Sequence, residues 1–155
     1  MGPGEGAVQS GDERRQLREL LGRIALFRDL PAEALDQLVP RFAPVEAAAG
    51  EVIVRQGAAG DELYVVESGS LAVSAAIGGK LVHLGTLGPG DFFGEMAILR
   101  NRPRVATVTA TTPARLWSLS RAGLLAIVRQ APEVGQRMSA IMRQRELANA
   151  LQALQ

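Results

Sequence analysis

Apolar positions near the start of the chain recur at the spacing of one helix face. Leu17, Leu20, Leu21 and Ile24 lie three or four residues apart or side by side, with arginines and glutamates between them. This periodicity predicts an amphipathic helix over residues 13–25.

A second short helix is predicted over residues 31–40. Pro31 suits a first helical position, and Pro40 is expected to stop the helix. Residues 1–12 are rich in glycine and polar side chains, so we expect them to form a disordered leader.

After Pro44 the pattern changes to short apolar segments separated by turn signals rich in glycine and proline. In the later segments apolar and polar positions alternate, as expected for strands that bury one face. Eight such segments at this spacing are typical of a sandwich or jelly roll. The predicted strands span residues 45–48, 51–56, 62–67, 70–77, 80–86, 91–93, 104–111 and 114–119.

Helical spacing returns after residue 120. Leu124 and Ile127 belong to a predicted helix over residues 121–130, and Pro132 breaks it. A longer helix is predicted over residues 133–152, with most of its apolar side chains on one side.

Charge and composition exclude several classes of function. Seventeen basic residues are matched by 16 acidic ones, giving a net charge of +1, which argues against a nucleic-acid or membrane binder driven by electrostatics. The absence of cysteine removes disulfides, thiolate catalysis and cysteine metal sites. His83 is the only histidine, so a metal site of the cupin type cannot form. No serine or lysine has a recognisable base partner, and we expect no catalysis.

The stretch from residue 90 to 107 combines features that suit a phosphate ester. Gly94 allows the backbone to approach a ligand closely, and the short helical turn predicted from Glu95 to Leu99 would present free N–H groups to an anion. Arg104 supplies a planar two-pronged donor that matches phosphate oxygens. A carboxylate at Glu95 is expected to accept hydrogen bonds from ligand hydroxyls and to hold Arg104 in position.

Within this stretch, Phe-Gly-Glu-Met-Ala-Ile followed by Pro-Arg-Val-Ala-Thr-Val resembles the phosphate-binding cassette of cyclic nucleotide-binding domains. The resemblance extends upstream through residues 57–69 and covers roughly residues 24–145. It implies an α+β fold, in which an eight-stranded antiparallel β-roll of the jelly-roll type is flanked by N-terminal helices, a short cassette helix and C-terminal lid helices. The expected domain spans residues 13–155.

That domain divides into N-terminal helices over residues 13–41, a β-roll over 44–120 with its cassette at 90–107, and hinge and lid helices over 121–155. On ligand binding, the last helix is expected to close over the base, with Pro132 as the hinge.

The same resemblance assigns the site residues. Arg104 would bind the phosphate, Glu95 the ribose, and backbone N–H groups would complete the cassette. Arg145 would cap the purine. The alternatives are that Arg145 is a solvent-exposed residue of the helix, or that Arg143 contacts the base in its place. The predicted ligand-binding set is Phe93, Gly94, Glu95, Met96, Ala97, Arg104, Val105 and Arg145.

Position 105 bears on the choice of nucleotide. Cassettes for cAMP commonly carry alanine or serine directly after the arginine, and those selective for cGMP often carry threonine, whose hydroxyl can bond the guanine edge. Val105 has no hydroxyl. The expected ligand is therefore cAMP, with cGMP as the alternative.

By resemblance the chain is a regulatory sensor and not an enzyme. Its flanking helices look closest to bacterial channel-type domains, so we expect a cytoplasmic domain attached to or packed on a larger effector, such as a potassium channel or a transporter. A homo-oligomer is a further expectation, and neither nucleic acid nor membrane is an expected partner of the chain itself.

Two alternatives stay open. A degenerate domain would keep the fold for protein interaction, and a catabolite-activator-type regulator would need a helix-turn-helix that residues 1–155 do not contain.

Overall fold

The computed structural model describes residues 11–24, 26–28, 30–94, 103–133, 135–137, 139–140 and 143–144. Among these, helix α1 spans Gly11–Leu21 and helix α2 spans Ala32–Leu38. α1 begins two residues before the predicted start at residue 13, and its first turn contains Asp12 and Glu13, whose charges complement the helix dipole. Gly11 and Asp12 therefore belong to the helix and not to the expected leader.

The second helix ends at Leu38, two residues before the predicted end at residue 40. Pro40 itself lies within a 3-10 turn, Val39–Arg41, that continues directly from α2. A proline is tolerated in the first turn of a helix because its missing N–H would have no helical partner there.

The described residues form eight strands in two antiparallel four-stranded sheets, as predicted. The first sheet has the order β1-β8-β3-β6 and the second has the order β2-β7-β4-β5. The strands are β1 (Phe42–Ala47), β2 (Val52–Val54), β3 (Glu62–Ser68), β4 (Leu71–Ile77), β5 (Lys80–Leu87), β6 (Phe92–Phe93), β7 (Thr107–Ala110) and β8 (Ala114–Ser120).

Two strand starts differ from the predicted ones by three residues, and the others by at most one. β1 begins three residues early and runs through Pro44, which pairs with Trp117. β1 lies at the edge of its sheet, where the lack of an N–H is tolerated. β7 begins at Thr107 and not at residue 104, because the backbone of Arg104 pairs with the turn after β2 instead of entering the sheet.

β3 is buried on both faces and separates two cores. Leu63 and Val65 pack into a cluster that the helices form against the first sheet. Tyr64 and Val66 point the other way, into the interior of the roll between the two sheets. The nearly continuous apolar run of this strand follows from this double burial.

Helix α3 spans Arg121–Gln130, the predicted bounds. The Ser120 side chain accepts a hydrogen bond from the Gly123 N–H at its start, as expected of an N-cap. Described residues 132–133, 135–137, 139–140 and 143–144 are helical, in line with the predicted last helix. No helix among the described residues is long and apolar enough to cross a membrane.

Candidate functional site

Four of the eight predicted site residues belong to the described part of the chain: Phe93, Gly94, Arg104 and Val105. The other four, Glu95, Met96, Ala97 and Arg145, lie outside it, as does the predicted cassette helix. The rival Arg143 is helical and exposed.

Arg104 is a buried cation, with only 6% of its surface exposed. Its Nη1 donates to the carbonyl oxygens of Glu62 at 3.0 Å and Gly94 at 3.3 Å. Its backbone N–H donates to Ala58 at 2.9 Å, and its carbonyl accepts from the Gly57 N–H at 2.7 Å. The segment from residue 57 to 62 therefore fixes both the main chain and the side chain of this arginine, and Gly94 adds a second acceptor for the side chain.

Gly94 is in direct contact with Arg104 and requires glycine for its backbone. Its φ of +92° lies in the left-handed region, and a Cβ there would come 2.6 Å from the Glu62 carbonyl oxygen and 2.7 Å from Nη1 of Arg104. The close approach that the sequence predicts at this position thus occurs, and within the described residues it is an approach to Arg104.

Arg104 closes one side of a cavity of about 280 Å³. This volume is near the lower end of the range for small-molecule sites, about 300–1,000 Å³. Backbone and apolar side chains of β2 form one wall, and the turn before β3 forms another. The cavity is lined by Val52, Ile53, Val54, Arg55, Ala58, Ala59, Gly60, Glu62, Tyr64 and Arg104.

Tyr64 forms the floor of the cavity beneath Arg104. Its ring stacks on Phe93, with centroids 5.0 Å apart and planes at 14°, and the Arg104 guanidinium carbon lies 6.0 Å from the Tyr64 centroid. Burial, and secondly the charge of Glu62, raise the pKa of the Tyr64 hydroxyl above its usual range. The phenol is therefore neutral at physiological pH and gives the floor no negative charge.

Phe93 and Val105 do not line the described walls of this cavity. Phe93 is buried within the core of the roll, where it supports the Tyr64 ring. Val105 is half-buried and precedes β7. Neither placement tests a contact with a ligand.

Sequence reasoning gave no site role to Tyr64, Gly60 or the strand β2. The segment from residue 57 to 69 belongs to the predicted resemblance, so a signal was present at Gly60 and Tyr64. Their approach to Arg104 depends on the fold, since the contact between Glu62 and Arg104 spans 42 residues.

Among the described residues, those that line this cavity include two arginines, Arg55 and Arg104, and one carboxylate, Glu62. No carboxylate among the described residues forms an ion pair with Arg104, and no cluster of three metal-ligating side chains occurs among them. Within the described part of the chain this buried cation has no carboxylate in an ion pair with it, an arrangement that favours an anionic ligand. The fold and site together define a β-roll domain with a small cavity beside a buried arginine.

The chain belongs to the cyclic nucleotide-binding domain family, whose sequence profile matches residues 44–131. It is 40% identical over 114 residues to a cAMP-dependent protein kinase regulatory subunit of Blastocladiella emersonii, covering 73% of this chain and 28% of that protein. The family predicted from the sequence is thereby confirmed.

Solved structures show the same fold. The regulatory domain of Toxoplasma gondii PKA, crystallised with cAMP, matches with a TM-score of 0.75 and 36% identity over 79% of this chain and 47% of that one. The Thermus thermophilus catabolite activator protein matches with a TM-score of 0.73 and 33% identity over 81% and 60%. The chain thus spans less than two thirds of each of these relatives.

Proposed function

We propose that this domain binds cAMP and acts as a regulatory sensor. The observation that carries the proposal is Arg104, a buried guanidinium beside a small cavity and without a carboxylate partner among the described residues. A cyclic nucleotide brings a single negative charge on its two free phosphate oxygens, which a guanidinium can bind at two points.

The proposed phosphate site consists of Arg104 together with Gly94 and the predicted N–H donors of Met96, Ala97 and Val105. Phe93 supports the site from the core, Glu95 binds the ribose hydroxyl, and Arg145 caps the base. Hydrogen bonds to a charged group contribute about 1.5–3 kcal/mol each, so Arg104 and a few backbone donors suffice for micromolar affinity after the entropy costs of binding.

Three features support cAMP over cGMP or an empty, degenerate site. The relatives include a kinase regulatory subunit described as cAMP-dependent and a PKA regulatory domain crystallised with cAMP. Val105 lacks the hydroxyl that a guanine base would use. Arg104 is buried, and the cost of burying its charge is offset when an anionic ligand binds but not in a module that binds none.

The effector is a separate proposal. The kinase regulatory subunit and the catabolite activator protein favour a domain that controls a larger protein, and no catalytic role is proposed for it. The sequence-based expectations of an attached channel or transporter, a cytoplasmic location, a homo-oligomer and domain limits at residues 13–155 stay predictions.

Calorimetric titration of cAMP, with cGMP in parallel, tests the function. The protein is first unfolded and refolded to remove nucleotide carried over from expression, and its fold is checked by circular dichroism. We expect a saturable one-site isotherm with tighter binding of cAMP. The absence of heat with both nucleotides, in folded protein, would leave the interaction module as the better description.

A further inference from the structure

Gly60 lies against the guanidinium of Arg104. A Cβ added at Gly60 would come 2.5 Å from Nε and 2.7 Å from Cζ of Arg104, and closer still to Nη2. Such distances are well inside van der Waals contact, so the bare Cα of this glycine allows the guanidinium to occupy its observed place.

The backbone of Gly60 does not itself require glycine. Its φ is outside the left-handed region, in contrast to Gly57 and Gly94 on either side of the site. An alanine could therefore adopt the same backbone conformation without strain. The three heavy atoms that lie nearest to such a Cβ all belong to the far end of the Arg104 side chain.

A displaced guanidinium has little room except the cavity. The Arg104 side chain is almost fully buried, and Gly60 and Arg104 line the same cavity of about 280 Å³. A side chain at residue 60 would push the guanidinium away from the carbonyls of Glu62 and Gly94, into space that a ligand would need.

We infer that Gly60 is a positioning residue, whose bare face seats the Arg104 guanidinium and aims it at the ligand phosphate. The identity of the ligand in this inference rests on the proposed function, whereas the contact between Gly60 and Arg104 does not. Gly60 acts through Arg104 and does not need to contact the nucleotide. This role separates Gly60 from the glycines of the chain that form turns.

The first test compares two alanine variants by calorimetric titration of cAMP and by thermal unfolding. We expect Gly60→Ala to weaken cAMP binding at least about tenfold, the equivalent of one weakened charge-assisted hydrogen bond. Its unfolding temperature should stay close to that of wild type, because the restriction that alanine places on the unfolded chain offsets the weakened hydrogen bonds of Arg104. Gly88→Ala is the matched control, since Gly88 also has a φ outside the left-handed region, has open space around its Cβ and does not line the cavity.

A double-mutant cycle shows whether the effect passes through Arg104. In an Arg104→Ala background, Gly60→Ala should have no further effect on affinity, because the atoms that the Cβ would displace are gone. An undiminished loss in that background, or wild-type affinity of the single variant, would overturn the inference.

A readout without ligand separates this inference from the proposed function. The Arg104 Nε–H cross-peak in a nitrogen-15 NMR spectrum, assigned by its loss in Arg104→Ala, should shift in Gly60→Ala and not in Gly88→Ala. A cross-peak that does not shift in Gly60→Ala would refute the positioning role of Gly60. If the cross-peak shifts but the protein binds no cyclic nucleotide, the positioning role of Gly60 is supported. In that case the proposed function is wrong and the inference about Gly60 is not.

Discussion

Two arginines of this domain each lie over an aromatic ring, yet their surroundings differ. Arg104 lies above Tyr64, and among the described residues its side chain donates to the carbonyls of Glu62 and Gly94 and forms no ion pair. Arg115 on β8 lies 5.0 Å from the centroid of the Trp117 ring and contacts three carboxylates. These carboxylates are Glu13 at 2.5 Å, Glu46 at 2.6 Å and Glu67 at 3.3 Å.

The Arg115 cluster joins four elements of the fold. Glu13 belongs to α1, Glu46 to β1 and Glu67 to β3, and the Trp117 Nε1–H donates to Glu67 at 2.9 Å. The positive charge of Arg115 is matched within the protein, so it has little left to offer a ligand. Within the described residues Arg104 has the opposite arrangement, because backbone carbonyls hold its side chain and none of those residues forms an ion pair with it. An arginine of the first kind supports the fold, and one of the second kind is available to an anion.

The largest expected difference between the two is in ligand affinity. Arg104→Ala should weaken cAMP binding about a hundredfold, at about 1.4 kcal/mol per tenfold, because it removes charge-assisted bonds to the phosphate. Its unfolding free energy should change by less than about 1 kcal/mol, since the lost hydrogen bonds are offset by removal of a buried charge. Calorimetry and urea unfolding measure the two quantities.

The conservative variant Arg104→Lys should recover part of this affinity, because it keeps the positive charge. Recovery should be incomplete, because an ammonium group lacks the planar pair of N–H donors of a guanidinium. Unchanged affinity in Arg104→Ala would remove Arg104 from the site and end the distinction between the two arginines.

The second difference is in stability, where the alanine substitution at Arg115 should have the larger effect of the two. Arg115→Ala should lower the unfolding free energy by about 2 kcal/mol, between the values for exposed and fully buried ion pairs, since 26% of the Arg115 side chain is exposed. The cAMP affinity should stay within about twofold of wild type, because Arg115 lies outside the described cavity walls.

Arg15→Ala is the matched control for this stability effect. Arg15 pairs with Asp12 at 3.8 Å, and both side chains are largely exposed, so its loss should cost at most about 0.5 kcal/mol. Equal urea midpoints for Arg115→Ala and Arg15→Ala would mean that the carboxylate cluster contributes no more than an ordinary surface pair.

The sequence predicts the first arginine and not the second. Arg104 is part of a contiguous motif, so its role can be inferred from its neighbours in the chain. The partners of Arg115 lie 69 and 102 residues away at Glu46 and Glu13. The pairing of β1 with β8 brings Glu46 to Arg115, and the position of helix α1 brings Glu13 there. Contacts that depend on sheet register and helix docking leave no local signal.

The difference between local signals and contacts of distant residues also explains which predicted strand and helix boundaries were accurate. The bounds of β3, β4, β5 and α3 agree within a residue or so with the predictions, because turns at Gly69, Gly78 and Gly79 and the Ser120 cap are local signals. The starts of β1 and β7 were wrong by three residues, because each depends on distant hydrogen-bonding partners.

The smallest expected effect concerns the rings beneath the two arginines. Trp117 cannot ionise at ordinary pH, whereas Tyr64, the only tyrosine of the chain, can, and burial raises its pKa in the folded state. A raised folded-state pKa means that the folded protein holds this proton more tightly than the unfolded chain does. The resulting stability is fully present below about pH 10, the unfolded value, and is lost as the pH rises through the folded value.

Tyr64→Phe keeps the ring stacked on Phe93 and removes the ionisable group. The variant should therefore lose less stability than wild type above about pH 10, and their difference should be constant at lower pH. Urea unfolding across this range measures the stability, and tyrosinate absorbance follows Tyr64 directly. Parallel stability curves above pH 10 would show that the Tyr64 proton is held no more tightly in the folded state. In that case the floor under Arg104 would be more hydrated than its burial indicates, and the contrast with the enclosed Trp117 would grow.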